Sequence, residues 1–258
     1  MQIDIDVTLH YKLSGEDTVL VTLEAAQTDG QSVKSSVLDI GQATQHHIDA
    51  EGRVGGRTYA LLKGDELNLR YVAQVNVTRP EHKLTGLAQM PLHTLSPDVL
   101  SYLRPSRFCQ SDLLSAFVED QFGHLDGGVK ILAMRDWIAT EISYVVGSSF
   151  PATTAIDTFV ARQGVCRDFA HLLCAFARAA GIPARYTSVY GADVQPPDFH
   201  AVAQVWLDGG WYIVDATGMG CATGLVIIAC GRDAADVAFM ETTKNAWPVA
   251  QTIHVSKA

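Results

Sequence analysis

The 258-residue chain reads as an α+β protein. An N-terminal antiparallel β-sandwich-like domain is followed by helices, and then by an antiparallel sheet packed on a helix that begins with a cysteine. Three observations predict this. Apolar residues alternate with polar ones through roughly the first 80 positions, the period of half-buried strands. No helical period of useful length precedes residue 100. The stretch 164–183 is apolar on nearly every side between two strong breakers, as a buried helix requires.

Composition sets the outer bounds. With 48% apolar and 18% charged residues, the chain has enough apolar surface for a large core. A net charge of −9 argues against general binding to nucleic acid or anionic membrane. The start, Met-Gln-Ile-Asp-Ile-Asp, lacks the basic and apolar regions of a signal peptide, and no apolar run reaches transmembrane length. Five cysteines without regular spacing suit a reducing cytoplasm better than a disulfide framework.

In the β domain, 1–90, Ile3, Ile5, Val7 and Leu9 alternate with polar positions, as do Val19, Val21 and Leu23. The longest alternation is Leu67, Leu69, Tyr71, Ala73, Val75 and Val77. Gly30, Gly41, Gly52, Gly55-Gly56 and Gly64 punctuate these runs. His46, His47 and His82 have no cysteine or carboxylate partners at metal-ligand spacing, so no metal is expected. Residues 91–105 form a connector with three prolines, in which Ser96-Pro97-Asp98 suits a helix start.

The catalytic half is expected over 106–258. Ser111 can cap a helix carrying Leu113, Leu114, Phe117 and Val118, and a second helix runs from about 128 to 142 with Ile131, Met134, Ile138 and Ile142 on one stripe. Thr154 can cap a third, bearing Ile156, Phe159 and Val160. In the buried helix Gly164 breaks the chain before the start, Gly181 suits the C′ position and Pro183 blocks continuation. Strand patterns return at 184–190, 200–207, 211–215, 225–230 and 250–255.

Cys166 opens the buried helix, where free amide N–H groups and the positive dipole end favour a thiolate. Cys174 lies two turns inside it and reads as core; Cys109, Cys221 and Cys230 read as structural. His200 lies 34 residues beyond Cys166, and Asp215 a further 15. An Asp208-Gly209 hairpin turn sets 207 opposite 210, making His200 and Asp215 diagonal neighbours on one face, roughly 7–8 Å apart at Cα. A Gly209-Gly210 turn keeps the face but moves Asp215 opposite Gln204, out of reach. His171 is the rival base, but it lies about 140° round the helix from Cys166 and reads as structural. Asp168 suits the helix dipole while opposing a nearby thiolate, and Arg167 acts the other way; neither reads as catalytic.

Four blocks carry a family resemblance: Gly164-Val165-Cys166-Arg167-Asp168-Phe169-Ala170-His171, Gly181-Ile182-Pro183-Ala184-Arg185-Tyr186, His200-Ala201-Val202-Ala203-Gln204-Val205-Trp206, and Gly210-Trp211-Tyr212-Ile213-Val214-Asp215. In this order they resemble the transglutaminase-like superfamily, specifically its bacterial cysteine-peptidase branch, over roughly residues 100–220. The resemblance implies a papain-like catalytic domain and a Cys166–His200–Asp215 triad that transfers an acyl group from a peptide or protein amide through a thioester. It also suggests an aromatic oxyanion donor upstream of the cysteine, for which the sequence offers Tyr144, with Gln163 as a further candidate. Water as acceptor gives hydrolysis, the favoured outcome; an amine gives glutamine crosslinking. A silent interaction module with the same fold is the reading from another class, as is a β domain that binds partners while the enzyme half assists. No cofactor is expected, and no carboxylate-rich loop suggests calcium activation.

Overall fold

The alternation over residues 3–9 becomes strand β1 (Gln2–Leu13), whose Ile3, Ile5, Val7 and Leu9 are all buried. The computed structural model describes residues 1–49 and 54–258; Gly52, named above as a breaker, lies outside the described residues. After β1 come β2 (Asp17–Val21), β3 (Gln31–Asp39), β4 (Thr44–Ile48), β5 (Arg57–Leu62) and β6 (Glu66–Val77). The connector holds the short helix α1 (Pro97–Leu100), with Ser96 at its N-cap and Pro97 in its first turn. Then follow α2 (Ser115–Phe122), α3 (Gly127–Glu141), β7 (Ser143–Tyr144), α4 (Ala155–Ala161), β8 (Gln163–Gly164) and α5 (Cys166–Ala179). The chain ends in β9 (Ala184–Gly191), β10 (His200–Leu207), β11 (Gly210–Val214), β12 (Leu225–Gly231), β13 (Met240–Thr242) and β14 (Ala246–Lys257).

Three four-stranded antiparallel sheets result, in the orders β14-β1-β6-β3, β13-β2-β5-β4 and β11-β10-β9-β12. The first two belong to the N-terminal half, yet each has a strand from the C-terminal end. β14 pairs with β1 from Ile3↔Lys257 to Leu13↔Ala246, and β13 pairs with β2. The sequence pattern placed residues 250–255 with the catalytic half. The structure moves them because β14 is mostly exposed, with Ile253 its one fully buried residue, so its pattern names no partner.

Helix signals were realised unevenly. Thr154 caps α4 through a reciprocal box with Asp157, as its sequence suggests. Asp126 caps α3. Ser111 does not cap α2: it is buried and starts a 3₁₀ turn (Ser111–Leu113), and α2 begins beyond it.

Helix α5 fills the centre. Phe169, Ala170 and Leu172 to Ala177 are all buried. On one side Phe176 meets Phe117, Phe122, Trp137 and Phe159, with centroids 5.4–6.2 Å away. Sheet β11-β10-β9-β12 covers another side. Gly181, with φ of +75°, closes the helix in a conformation that costs a side-chain-bearing residue energy.

The two halves share one apolar cluster running from Ile3 and Tyr71 through Phe176 to Val226. Polar ties cross it. Gln31 donates to the Ala26 and Ile227 carbonyls at 2.6 and 2.8 Å and accepts from the Ile227 amide at 2.8 Å. The Tyr190 hydroxyl donates to the Leu23 carbonyl at 2.7 Å. The Ile227 carbonyl also accepts from the Ala26 amide at 2.9 Å, so Gln31→Ala should strip two buried backbone groups, the Ala26 carbonyl and the Ile227 amide, of their partners and destabilise the protein by about 3 kcal/mol. Urea denaturation should show the lowered midpoint with an unchanged slope.

Candidate active site

Strands β10 and β11 are joined by the Asp208-Gly209 turn, with φ of +46° and +80° at its two residues. Those are the positive values a type I′ hairpin needs. Leu207 therefore opposes Gly210 and Ala203 opposes Val214, the register that sets His200 and Asp215 on one face. His200 Nε2 and Asp215 Oδ2 are 2.8 Å apart, with side chains only 1% and 4% exposed.

Asp215 is fixed from behind. Its Oδ1 accepts from the Thr217 amide at 2.8 Å and the Thr217 hydroxyl at 2.7 Å, and its Oδ2 also accepts from the Gly220 amide at 2.9 Å. Burial pushes its carboxyl up, but the bonds from His200 and Thr217 outweigh this and hold it below the usual carboxylate range. For His200, burial acts downward. The hydrogen bond to Asp215, with negative charge at Asp215 and at nearby Cys166, raises it instead to about 9.

Cys166 is partly exposed at the first turn of α5, and its sulfur lies 3.9 Å from the Phe199 carbonyl oxygen. The turn is braced by Asp168, which is fully buried. Its carboxylate accepts from the Val165 amide and the Ser149 hydroxyl, each at 2.9 Å, and lies 3.2 Å from Arg167. A Cβ on Gly164 would come within 2.8 Å of the Asp168 Cβ, so a glycine is needed there. Arg167 also donates to the Phe150, Pro151 and Thr153 carbonyls, which turns its charge into that loop.

Tyr144 reaches the cysteine through a two-strand parallel bridge in which it pairs with Gly164. The Ser143 and Val145 amides donate to the Arg162 and Gly164 carbonyls, both at 2.9 Å. The Tyr144 ring meets Phe169, with centroids 5.8 Å apart, and its hydroxyl lies near Cys166. Burial, then the negative charge at Cys166, pushes this hydroxyl up to about 12, so it stays protonated and can donate. Gln163 is exposed on β8.

The remaining candidates sit elsewhere. His171 is fully buried, stacks on Phe108, and accepts from the Ala234 amide at 3.1 Å through Nε2. Burial holds it well below the ordinary imidazole value, hence neutral. Cys174 is fully buried against Cys109, and Cys230 packs on Thr187 and Gln204. His47 lies beside Glu24 and Thr58, and His82 stands edge-on to Tyr212. Sequence reasoning missed Thr217, although Asp215-Ala216-Thr217 has the spacing of an Asx turn, a signal within reach. It also missed Ser149 and Phe199, which meet the site only through folding.

A partly exposed thiol at a helix start, beside strands that carry a histidine bonded to a buried aspartate, is an arrangement that fits a cysteine-type enzyme. Residues 118–216 match the transglutaminase-like superfamily profile. A solved structure from Cytophaga hutchinsonii, described as a putative cysteine protease, is 33% identical over 99% of this chain and 90% of that one, with a TM-score of 0.91. The chain belongs to the transglutaminase-like superfamily. An uncharacterized protein of Mycobacterium leprae is 32% identical over 118 residues, 42% of either chain. One of Mycobacterium tuberculosis strain H37Rv is 35% identical over 115 residues, 39% of this chain and 37% of that one. The matched stretch thus spans less than half of these mycobacterial relatives. Among the described residues no helix is long and apolar enough to cross a membrane.

Because its folded value lies above the ordinary 6.5, His200 stabilises the fold through the proton it holds. That contribution should be whole below pH 6.5 and lost as pH rises to about 9. Ring-proton NMR should place the His200 midpoint near 9, and Asp215→Asn should lower it; an ordinary midpoint in the native protein would contradict the geometry.

Proposed function

We propose that the protein is a peptidase or amidase in which Cys166, His200 and Asp215 act together through a thioester. The observation that carries this reading is the buried 2.8 Å contact between His200 and Asp215, on a strand that starts next to Phe199, whose carbonyl oxygen lies 3.9 Å from the Cys166 sulfur. The Cys166 thiolate attacks the amide carbonyl carbon and forms a C–S bond. The resulting oxyanion accepts from the Cys166 amide at the helix start and from the Tyr144 hydroxyl, which lies near Cys166. Collapse breaks the C–N bond, and the His200 imidazolium gives its proton to the leaving amine. His200 then takes a proton from water, which attacks the thioester and releases the acid and the thiol. Asp215 holds the ring and offsets its charge without itself accepting the proton.

Hydrolysis, rather than crosslinking, is supported by the protease description of the Cytophaga hutchinsonii relative. The substrate is a peptide or protein amide. Five unpaired thiols fit a reducing compartment, and we place the protein in the cytoplasm.

Cys166→Ala should abolish turnover of a peptide amide, and adding Asp215→Asn to it should do no further harm, since the residues act as a unit. Asp215→Asn alone should lower kcat about 10⁴-fold per folded molecule, and Tyr144→Phe about 10²-fold with KM little changed. Acylation should also fail as pH rises through about 9, where His200 loses the proton the leaving amine needs. A rate unaffected by Asp215→Asn would leave the aspartate a purely structural brace.

A further inference from the structure

The charged groups around Cys166 are not balanced. Asp215 is spent on His200, and Asp168 on Arg167, whose remaining donors face carbonyls. One carboxylate is left over. Asp198 is exposed two residues before His200, next to the residue whose carbonyl lies against the Cys166 sulfur. Its Oδ1 accepts from the Phe199 amide at 2.7 Å and from the Gln251 side chain of β14 at 3.0 Å. These are its hydrogen-bond partners among the described residues, no cation there pairs with it, and the residue is exposed. Pro196 and Pro197 precede it and restrict its backbone, so holding the carboxylate in place costs little further entropy. Its charge is felt at the Tyr144 hydroxyl, where the other charged group acting is Cys166.

We propose that Asp198 directs the enzyme to amides carrying an ammonium group near the scissile bond, its backbone-held Oδ1 fixing the carboxylate while Oδ2 receives the cation. The inference rests on Cys166 being the nucleophile of the reading above. The ammonium can belong to a lysine side chain or to a free amino terminus. An exposed, oriented carboxylate beside a partly buried site attracts such a group more strongly than a freely rotating surface charge does, because its field is concentrated where the reacting atoms lie.

The test reads the field first and turnover second. Full-length protein is treated with methanethiosulfonates bearing an aminoethyl, a methyl or a sulfonatoethyl group, and modification of each cysteine is followed by peptide mapping. Rates at Cys166, normalised to a free thiol, should favour the cationic reagent. Asp198→Asn should lower the cation-to-anion ratio about tenfold, an effect that fades with added salt. Exposed Cys221 is the internal control, and its ratio should not move. An unchanged ratio at Cys166 in Asp198→Asn overturns the proposal, whether or not any peptide is cleaved. Two peptide amides then separate the sources: one with an internal lysine and a blocked amino terminus, the other lysine-free with a free amino terminus. The peptide whose kcat/KM falls at least fivefold in Asp198→Asn identifies the ammonium. Equal turnover of both by the native and variant proteins overturns the proposal as well. Absence of turnover with an altered labelling ratio would count against the hydrolase reading while upholding the charge assignment.

Discussion

A helix buried on all sides can meet solvent only at its ends, and in this protein that constraint arranges everything else. The flanks of α5 are occupied by the Phe117–Trp137–Phe159 aromatic group and by the catalytic sheet, so its register and tilt are set by packing. Its C-terminal end is closed by Gly181 and by Arg178, which donates to the Ala184 and Arg104 carbonyls. Cys166 stands at its N-terminal end, which is partly open to solvent. Positioning a reactive atom on the least deformable element of the fold means that the neighbouring strands need only deliver the histidine to a fixed point.

Burying charge in such a core is costly unless each charge is answered. Asp168 is answered by an amide, a hydroxyl and Arg167, and Asp215 by two amides, a hydroxyl and His200. The two carboxylates serve different ends with the same chemistry. Asp168 spends its acceptors on shaping the turn before Cys166. Asp215 spends one oxygen on its own loop and shares the other between the Gly220 amide and the His200 ring. His171, equally buried but lacking a carboxylate, stays neutral. Burial alone therefore does not decide a histidine's state here; a bonded carboxylate does.

How much of this was legible in the sequence depended on whether the interaction was local. The ends of α5 were readable from Gly164, Gly181 and Pro183, since breakers act on their own backbone. The His200–Asp215 pairing was readable only as one of two outcomes, since an Asp208-Gly209 turn brings the pair together and a Gly209-Gly210 turn separates it; the fold uses the first. The Tyr144 position was suggested only by family resemblance, since a two-residue parallel bridge leaves no period in the sequence. The failures were long-range or subtle. Ser111 has a capping side chain but is buried before the helix starts. The partner of β14 could not be inferred, because its side chains face mostly solvent and nothing in its pattern distinguishes one sheet edge from another.

The pairing of β14 with β1 brings Lys257 opposite Ile3, and the Ala258 amide donates to the Gln2 carbonyl at 3.2 Å. During synthesis the partners Ile3 and Lys257 are separated by 254 positions (257 − 3), roughly ten to fifty seconds at ordinary elongation rates. Closing so long a loop costs about 5 kcal/mol of chain entropy before any of its contacts form. For that interval β1 can pair with β6 while its other edge stays bare, a template for pairing with neighbouring nascent chains. The strands carrying His200 and Asp215 emerge before β14, so the catalytic half can assemble first. The twelve-residue β14 then covers β1 and becomes the edge of the sheet itself, one that Pro248 interrupts at the register shift, so the edge it presents is a poorer template than the one it hides.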